Sequence, residues 1–288
     1  MKPAKKTLLY AAYIIGITVI FLYYLFPSDA VRDYVVYKIT RGNPDISVTI
    51  DHVSPVLPPG IKLHDVDIAQ RSRALVALDS VKITPGLLSF FSSTKTARFQ
   101  GRINGGTVNG WAEIDSRQNR QAEKIEGTIS GVQVQKIPAL KHLGAYKISG
   151  NLGGDFVIGA TGSRRSMTGK LTLVDCRIDF DQPIIGQSSL IFKNITADLV
   201  LNRGNLVIQK FSARGNQLNA DISGTIALNR SGGGNALDLN GSVTPHHGFL
   251  AKIENSVPAD LFRQQRTGKT TISFIIGGTL EAPDFRLD

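Results

Sequence analysis

The chain has a single cysteine, Cys176. One cysteine closes no internal disulfide, so an exported domain of this sequence is held by packing and hydrogen bonds alone. Cys176 sits in Val174-Asp175-Cys176-Arg177-Ile178-Asp179-Phe180, in phase with Val174, Ile178 and Phe180. That spacing reads as a small buried hydrophobe, not a reactive thiol. Aromatics are scarce, at 7% of residues, and none interleave with basic side chains; a stacking platform for single-stranded nucleic acid needs that interleaving. The formal net charge is +10, yet no dense basic block accounts for it. Lys2, Lys5 and Lys6 carry part, and the remainder is scattered among acids. Nucleic acid is therefore set aside as a partner, and a basic surface beside an anionic membrane is preferred.

Recognisable catalytic patterns are also missing. His52, His64, His142, His246 and His247 show no metal-ligand spacing with another His, Cys or Glu, beyond the uninformative His246-His247 pair. There is no Gly-rich phosphate loop ending in Lys-Ser/Thr, and no Gly-x-Ser-x-Gly elbow. Asp175, Asp179 and Asp181 share one side of an alternating strand with Arg177, which reads as a solvated face. His64, Asp65 and Asp67 follow Pro58-Pro59-Gly60 and read as a polar turn. Asn194-Ile195-Thr196 and Asn229-Arg230-Ser231 match a glycosylation sequon, which matters only in a eukaryotic secretory lumen. The expectation is a non-enzyme with no catalytic, metal or cofactor residues.

What is present begins with an uncharged stretch from Thr7 to Phe26. As a helix it spans ~30 Å, the thickness of a bilayer core. Tyr23 and Tyr24 lie near its far end, where aromatic rings favour the interface. Its length, and the absence of a small-x-small cleavage site, favour an uncleaved anchor over a signal peptide. The expected organisation is a cytoplasmic tail (1–6), a transmembrane anchor (7–26), a connector helix (27–43) and a periplasmic β-rich domain (44–288). The orientation is N-in, because the tail is too short to fold. In the connector, Ser28 is a candidate N-cap, Gly42-Asn43-Pro44 the stop, and Val31, Tyr34, Val35 and Lys38 one side.

After Pro44 the chain alternates like strands. Val53 to Gly60 reads as a Pro-rich turn. Further turn signals stand at Asn104-Gly105-Gly106, Leu152-Gly153-Gly154, Arg203-Gly204-Asn205, Arg214-Gly215-Asn216 and Ser231-Gly232-Gly233-Gly234. The fold class expected is mainly β. After the transmembrane helix and a short amphipathic helix comes a curved, largely antiparallel sheet, either an open groove or a partly closed barrel-like form. One late helix is expected at about 246–265. The 29 glycines fit many turns and strands better than long helices.

A weak repeat places a glycine between two apolar residues, each two positions away. The cases are Phe99-Gly101-Ile103, Ile125-Gly127-Ile129, Ile148-Gly150-Leu152, Met167-Gly169-Leu171, Ile222-Gly224-Ile226, Leu239-Gly241-Val243 and Ile276-Gly278-Leu280. Alternation turns each glycine to the apolar face. Sheet curvature is the plainer reason for such glycines. Room for an acyl chain along an apolar groove is the sharper one, and it makes Gly101, Gly127, Gly150, Gly169, Gly224, Gly241 and Gly278 the candidate site.

The ordered set of features resembles the long form of the type II secretion system protein N family, itself similar to AsmA-like envelope proteins. The matching features are the basic tail, the anchor at Thr7 to Phe26 and the helix at Asp29 to Arg41. The Leu57-Pro58-Pro59-Gly60-Ile61-Lys62-Leu63 turn, the apolar-x-Gly-x-apolar strands and the closing Gly278-Thr279-Leu280-Glu281-Ala282-Pro283-Asp284-Phe285-Arg286-Leu287 follow. The resemblance covers the whole chain. It implies an accessory inner-membrane component of type II protein secretion, with other secretion subunits and the inner membrane as partners. The AsmA-like alternative is a lipid-binding or lipid-transfer module taking phospholipid. No catalytic residues come with either.

Overall fold

The computed structural model describes residues 3–42, 45–70, 73–87, 89, 92–115, 122–142, 146–161, 164–184, 187–228, 235–249, 271–279 and 282–287. Helices α1 (Pro3–Tyr24) and α2 (Ser28–Gly42) come first. The sheet begins with β1 (Ile46–Val56), β2 (Gly60–Gln70), β3 (Arg73–Pro85), β4 (Thr94–Ile103) and β5 (Gly106–Asp115). Its middle is β6 (Ala122–Gln133), β7 (Tyr146–Thr161), β8 (Arg164–Ile184), β9 (Gln187–Asn202) and β10 (Asn205–Gly215). β11 (Leu218–Ala227), β12 (Ala236–Pro245), β13 (Ile272–Gly278) and β14 (Pro283–Leu287) complete it. Order in space equals order in sequence: one open, 14-stranded antiparallel meander with β1 and β14 at its edges. The mainly β, antiparallel expectation holds, in the open form.

The turns follow from local chemistry. Asn104-Gly105 and Arg203-Gly204 have φ of +48 and +82°, and of +51 and +84°. Two successive left-handed residues match the twist of the strands they join, as tight hairpins require. Leu152-Gly153-Gly154, read as a turn, instead lies inside β7. Gly154 has φ +135°, and a Cβ there would strike the backbone oxygen of Lys170 in β8. The glycine permits close approach of two strands, not a reversal. The expected Pro-rich turn is also narrower, because Val53 to Val56 belong to β1 and Gly60 opens β2. Pro55 is tolerated because β1 is an edge strand. His64, Asp65 and Asp67 lie in β2 rather than in a turn. Ser231 to Gly234 fall outside the described residues. Of the late helix, 247–249 are helical and 250–265 are outside the description.

Two apolar clusters anchor the sheet. Val48, Ile50, Val53, Leu63 and Val66 form one, on β1 and β2, with Val31, Val35 and Val36 of α2 and Phe26 packed against it. Tyr34 and Lys38, expected on that side of α2, are exposed, with the Lys38 ammonium 5.7 Å from the Tyr34 ring centre. Cys176, Phe192 and Ala213 form the second cluster, on β8 to β10. Val174 departs from the expected phase and is exposed. Asp175, at φ +53°, breaks the alternation between the two. Short 3-10 helices at Val134–Lys136 and Pro138–His142 join β6 to β7, and the second touches β3 as well as β7. That connection therefore runs back across one end of the sheet.

α1 is apolar all round in its described side chains. Leu9, Tyr10, Tyr13, Ile14, Ile20 and Phe21 are exposed, and among the described residues α1 has no extensive contact with another element. Among the described residues no helix is long and apolar enough to cross a membrane, so the span expected at 7–26 keeps its footing in the sequence alone.

The two edges of the sheet differ. Ser28, expected to cap its own helix, is the first residue of α2, and the helix opens from the Pro27 carbonyl instead, with Val31 N–H donating to it at 3.0 Å. The Ser28 hydroxyl turns to β1. It donates to the Val53 carbonyl at 2.5 Å and accepts from the Val53 N–H at 3.3 Å. Two residues on, Pro55 has no N–H to offer. Removing the hydroxyl in Ser28→Ala should cost about 1 kcal/mol. Hydrogen exchange at Val53 and its β1 neighbours should quicken while β10 to β13 stay unchanged, as amide-resolved exchange will report.

Candidate functional site

The seven glycines fall on a face built by cross-strand register. One row of paired residues starts at Pro55 and runs through Ile61, Ile83 and Phe99 to Gly110 and Gly127. It continues through Phe156, Gly169, Leu199 and Ile208 to Gly224, then Leu239, Ile276 and Phe285. The row crosses every strand without a polar residue. A second row, two residues along, starts at Val53, Leu63 and Val81 and passes Gly101, Val108 and Ile129. Gly154, Leu171, Ala197 and Phe211 carry it on to Ile222, Gly241, Phe274 and Leu287. From β2 to β9 the residues between the rows are polar: Lys62, Lys82, Gln100 and Asn109 face one another in turn, then Thr128, Asp155, Lys170 and Asp198. One face is apolar and the other wet, as an antiparallel sheet allows.

Gly127, Gly169 and Gly224 thus lie in the first row, and Gly101 and Gly241 in the second. Gly150 stands apart, buried beside the Cys176 backbone. Gly278 is exposed at the end of β13 with φ +77°, and its repeat partner Leu280 lies outside the described residues. The space glycine leaves is not empty everywhere. A Cβ at Gly127 would come within 2.5 Å of the Phe156 ring, and one at Gly110 equally close to the Phe99 ring. Phe274 covers Gly241 in the same way. Aromatic rings laid over a neighbouring strand's glycine supply the packing that glycine lacks. Gly169 differs: the nearest atom to a Cβ there is the Asp155 backbone oxygen at 3.8 Å. Gly110 and Gly154 belong to the rows but were not among the candidates. The signal for Gly154 was present, since Leu152 and Phe156 flank it at two positions, but the Gly153-Gly154 pair read as a turn.

Among the described residues the polar groups form small, separate sets. His52 and His64 stack with ring centres 4.1 Å apart, and His64 Nε2 lies 3.0 Å from the Ser54 hydroxyl. Burial, then the neighbouring His52 and Lys62, hold the His64 pKa below its ordinary value. Asp65 and Asp67 are exposed on the same strand and bring no acid to that pair's hydrogen bonds. Arg177 and Asp179 form an exposed ion pair at 2.7 Å. Asp221 accepts from Arg214 at 2.7 and 2.9 Å and from Ser212 at 2.8 Å. The Arg214 hydrogen bond, reinforced by Ser212, keeps its carboxyl below the usual range. Among the described residues no group of three or more His, Cys, Asp or Glu is placed to hold a metal ion. Cys176 is free and buried, and burial pushes its thiol up to about 11.

Register and faces define one open antiparallel sheet with an apolar side and a polar side. No family model, no curated protein and no solved structure matches the chain.

Two tests follow from this geometry. Gly154→Ala forces a left-handed backbone and a strand-to-strand clash, so it should destabilise by about 2 kcal/mol or more. Gly169→Ala meets no contact closer than 3.8 Å and should stay within about 1 kcal/mol of the parent; thermal denaturation of the two variants checks both. Cys176 should resist iodoacetamide in the folded chain at pH 8 and react at the ordinary thiol rate once denatured.

Proposed function

We propose that this chain is an accessory inner-membrane component of the type II protein secretion machinery. α1 holds it to the membrane with its N-terminus in the cytoplasm, and the sheet works in the periplasm as a scaffold or interaction module rather than an enzyme. The observation that carries the scaffold reading is the two-faced sheet. Among the described residues no helix packs extensively on β8 to β14, whose apolar rows are half-buried beside the Cys176, Phe192 and Ala213 cluster, and a broad apolar face is a surface for a partner. Support for the membrane comes from the uncharged Thr7–Phe26 stretch of the sequence. α2 adds an exposed edge of Tyr34, Tyr37 and Ile39, with Lys38 and Arg41 over the tyrosine rings, a composition suited to the membrane interface. The secretion role itself rests on the ordered resemblance of the sequence.

A second reading is favoured by the continuity of the two rows. Apolar rows that cross all the strands form a curved groove suited to acyl chains, with the sheet acting as an AsmA-like lipid-binding or lipid-transfer module. Deleting the gene in its native host separates the two. Exoproteins should accumulate in the periplasm, and a membrane-anchored copy should restore export. Normal secretion with a leaky outer membrane, together with phospholipid copurifying with the chain, replaces the scaffold reading with the lipid one.

A further inference from the structure

The two edges of the sheet are finished differently, and the difference points to a partner. At β1 the outward groups near Val53 are taken by Ser28, Pro55 supplies no N–H, and Arg32 reaches the Asp51 carbonyl at 3.5 Å. Blocking of this kind keeps an edge strand from recruiting another strand. β14 has no such cover among the described residues. All five of its residues are exposed, with Phe285 at 65% and Leu287 at 62%.

The hydrogen-bond phase of β14 fixes what it offers. Thr279 and Ala282 exchange both backbone hydrogen bonds, at 3.1 and 3.2 Å. In an antiparallel ladder bonded pairs alternate, so Asp284 and Arg286, opposite Gly277 and Ile275, turn their groups inward to β13. Phe285 and Leu287 therefore present N–H and C=O to the free side, while Pro283 presents a carbonyl alone. Phe285 and Leu287 also end the two apolar rows, which reach the edge uncapped.

We propose that β14 pairs with β14 of a second copy, antiparallel about a twofold axis at Phe285, joining two sheets into one. In this register the Phe285 backbones of the two copies exchange both hydrogen bonds. Leu287 of each donates to the Pro283 carbonyl of the other, so the missing proline N–H costs one bond per side and no more. On the polar face Asp284 of each copy stands opposite Arg286 of the other. Within one chain these two already attract, with Arg286 Nη2 2.7 Å from Asp284 Oδ2; the twofold duplicates that complementarity across the junction. Both apolar rows then run on from one copy into the next. A head-to-tail join of β14 to β1 meets the blocked stretch from Asp51 to Pro55 instead, which favours a pair over a longer series. This pairing is independent of what the apolar face binds and of the secretion reading.

The test uses the full chain in native membrane vesicles. Partner residues across a bonded antiparallel pair lie with Cα atoms about 5.5 Å apart, within disulfide range. Phe285→Cys should thus give a disulfide-linked dimer under mild oxidation, while buried Cys176 stays silent. Adding Asp284→Arg, or Arg286→Asp, sets like charges face to face in both junction pairs and should lower the crosslinked fraction roughly tenfold. The two charge variants, each carrying Phe285→Cys and expressed together, should crosslink to each other at the parental level, which also shows that both still fold. A Phe285→Cys chain that stays monomeric overturns the pairing. Yields indifferent to charge reversal, or not restored by coexpression, overturn it as well.

Discussion

Neighbouring side chains of a strand point to opposite faces, and an antiparallel ladder holds partner residues directly opposite one another. Every feature of this sheet depends on that ladder staying in register across its strands. A slip of one residue would turn Phe156 and Leu199 to the polar side and Lys170 and Asp198 to the apolar side. Among the described residues irregularities of register occur in seven of the ladders. The ladder shifts by one between Ser149 and Asn151, beside buried Gly150, and again in β10 between Ile208 and Lys210. Beyond each of these two the rows resume. The Phe99–Gly110, Phe156–Gly127 and Phe274–Gly241 pairs reinforce this, because each ring covers the glycine of one particular neighbour. A glycine and a phenylalanine in facing positions specify register more sharply than two ordinary apolar residues would.

The strand content was legible because period-two alternation is a local signal, as in Ile46-Val48-Ile50. The reversals at Asn104-Gly105 and Arg203-Gly204 were legible because two left-handed residues between alternating runs admit few other readings. Gly153-Gly154 misled for the same local reason: a glycine pair looks alike whether it reverses a chain or lets two strands approach. Only the Lys170 oxygen across the ladder separates the cases. Ser28 misled similarly, since a serine before a helix signals a cap, while its actual partner, Val53, is distant in sequence. Of the candidate site, the spacing around Gly127, Gly169, Gly224 and Gly241 was visible, but the facing residues were not. Which phenylalanine covers which glycine is a property of pairing that no single strand contains.

Restricting every strand to its sequence neighbours gives the molecule a one-dimensional logic. Interactions between elements are almost all between consecutive strands, with α2 on β1 and the short Pro138–His142 helix on β3 as exceptions. Low sequence separation of contacts favours fast assembly and lets structure begin locally and spread, as in repeat proteins. A growing chain can then order its first hairpins before its last ones exist.

The same neighbour-only wiring governs how the molecule bears load. Tension between α1 and Leu287 acts first on β14, a five-residue strand bonded on one side only. Such a strand peels rung by rung instead of shearing as a block. Behind it each successive hairpin meets the force in the same geometry, so extension proceeds as a sequence of small yields rather than one rupture. The longest ladder among the described residues, between β7 and β8, is where that unzipping should pause.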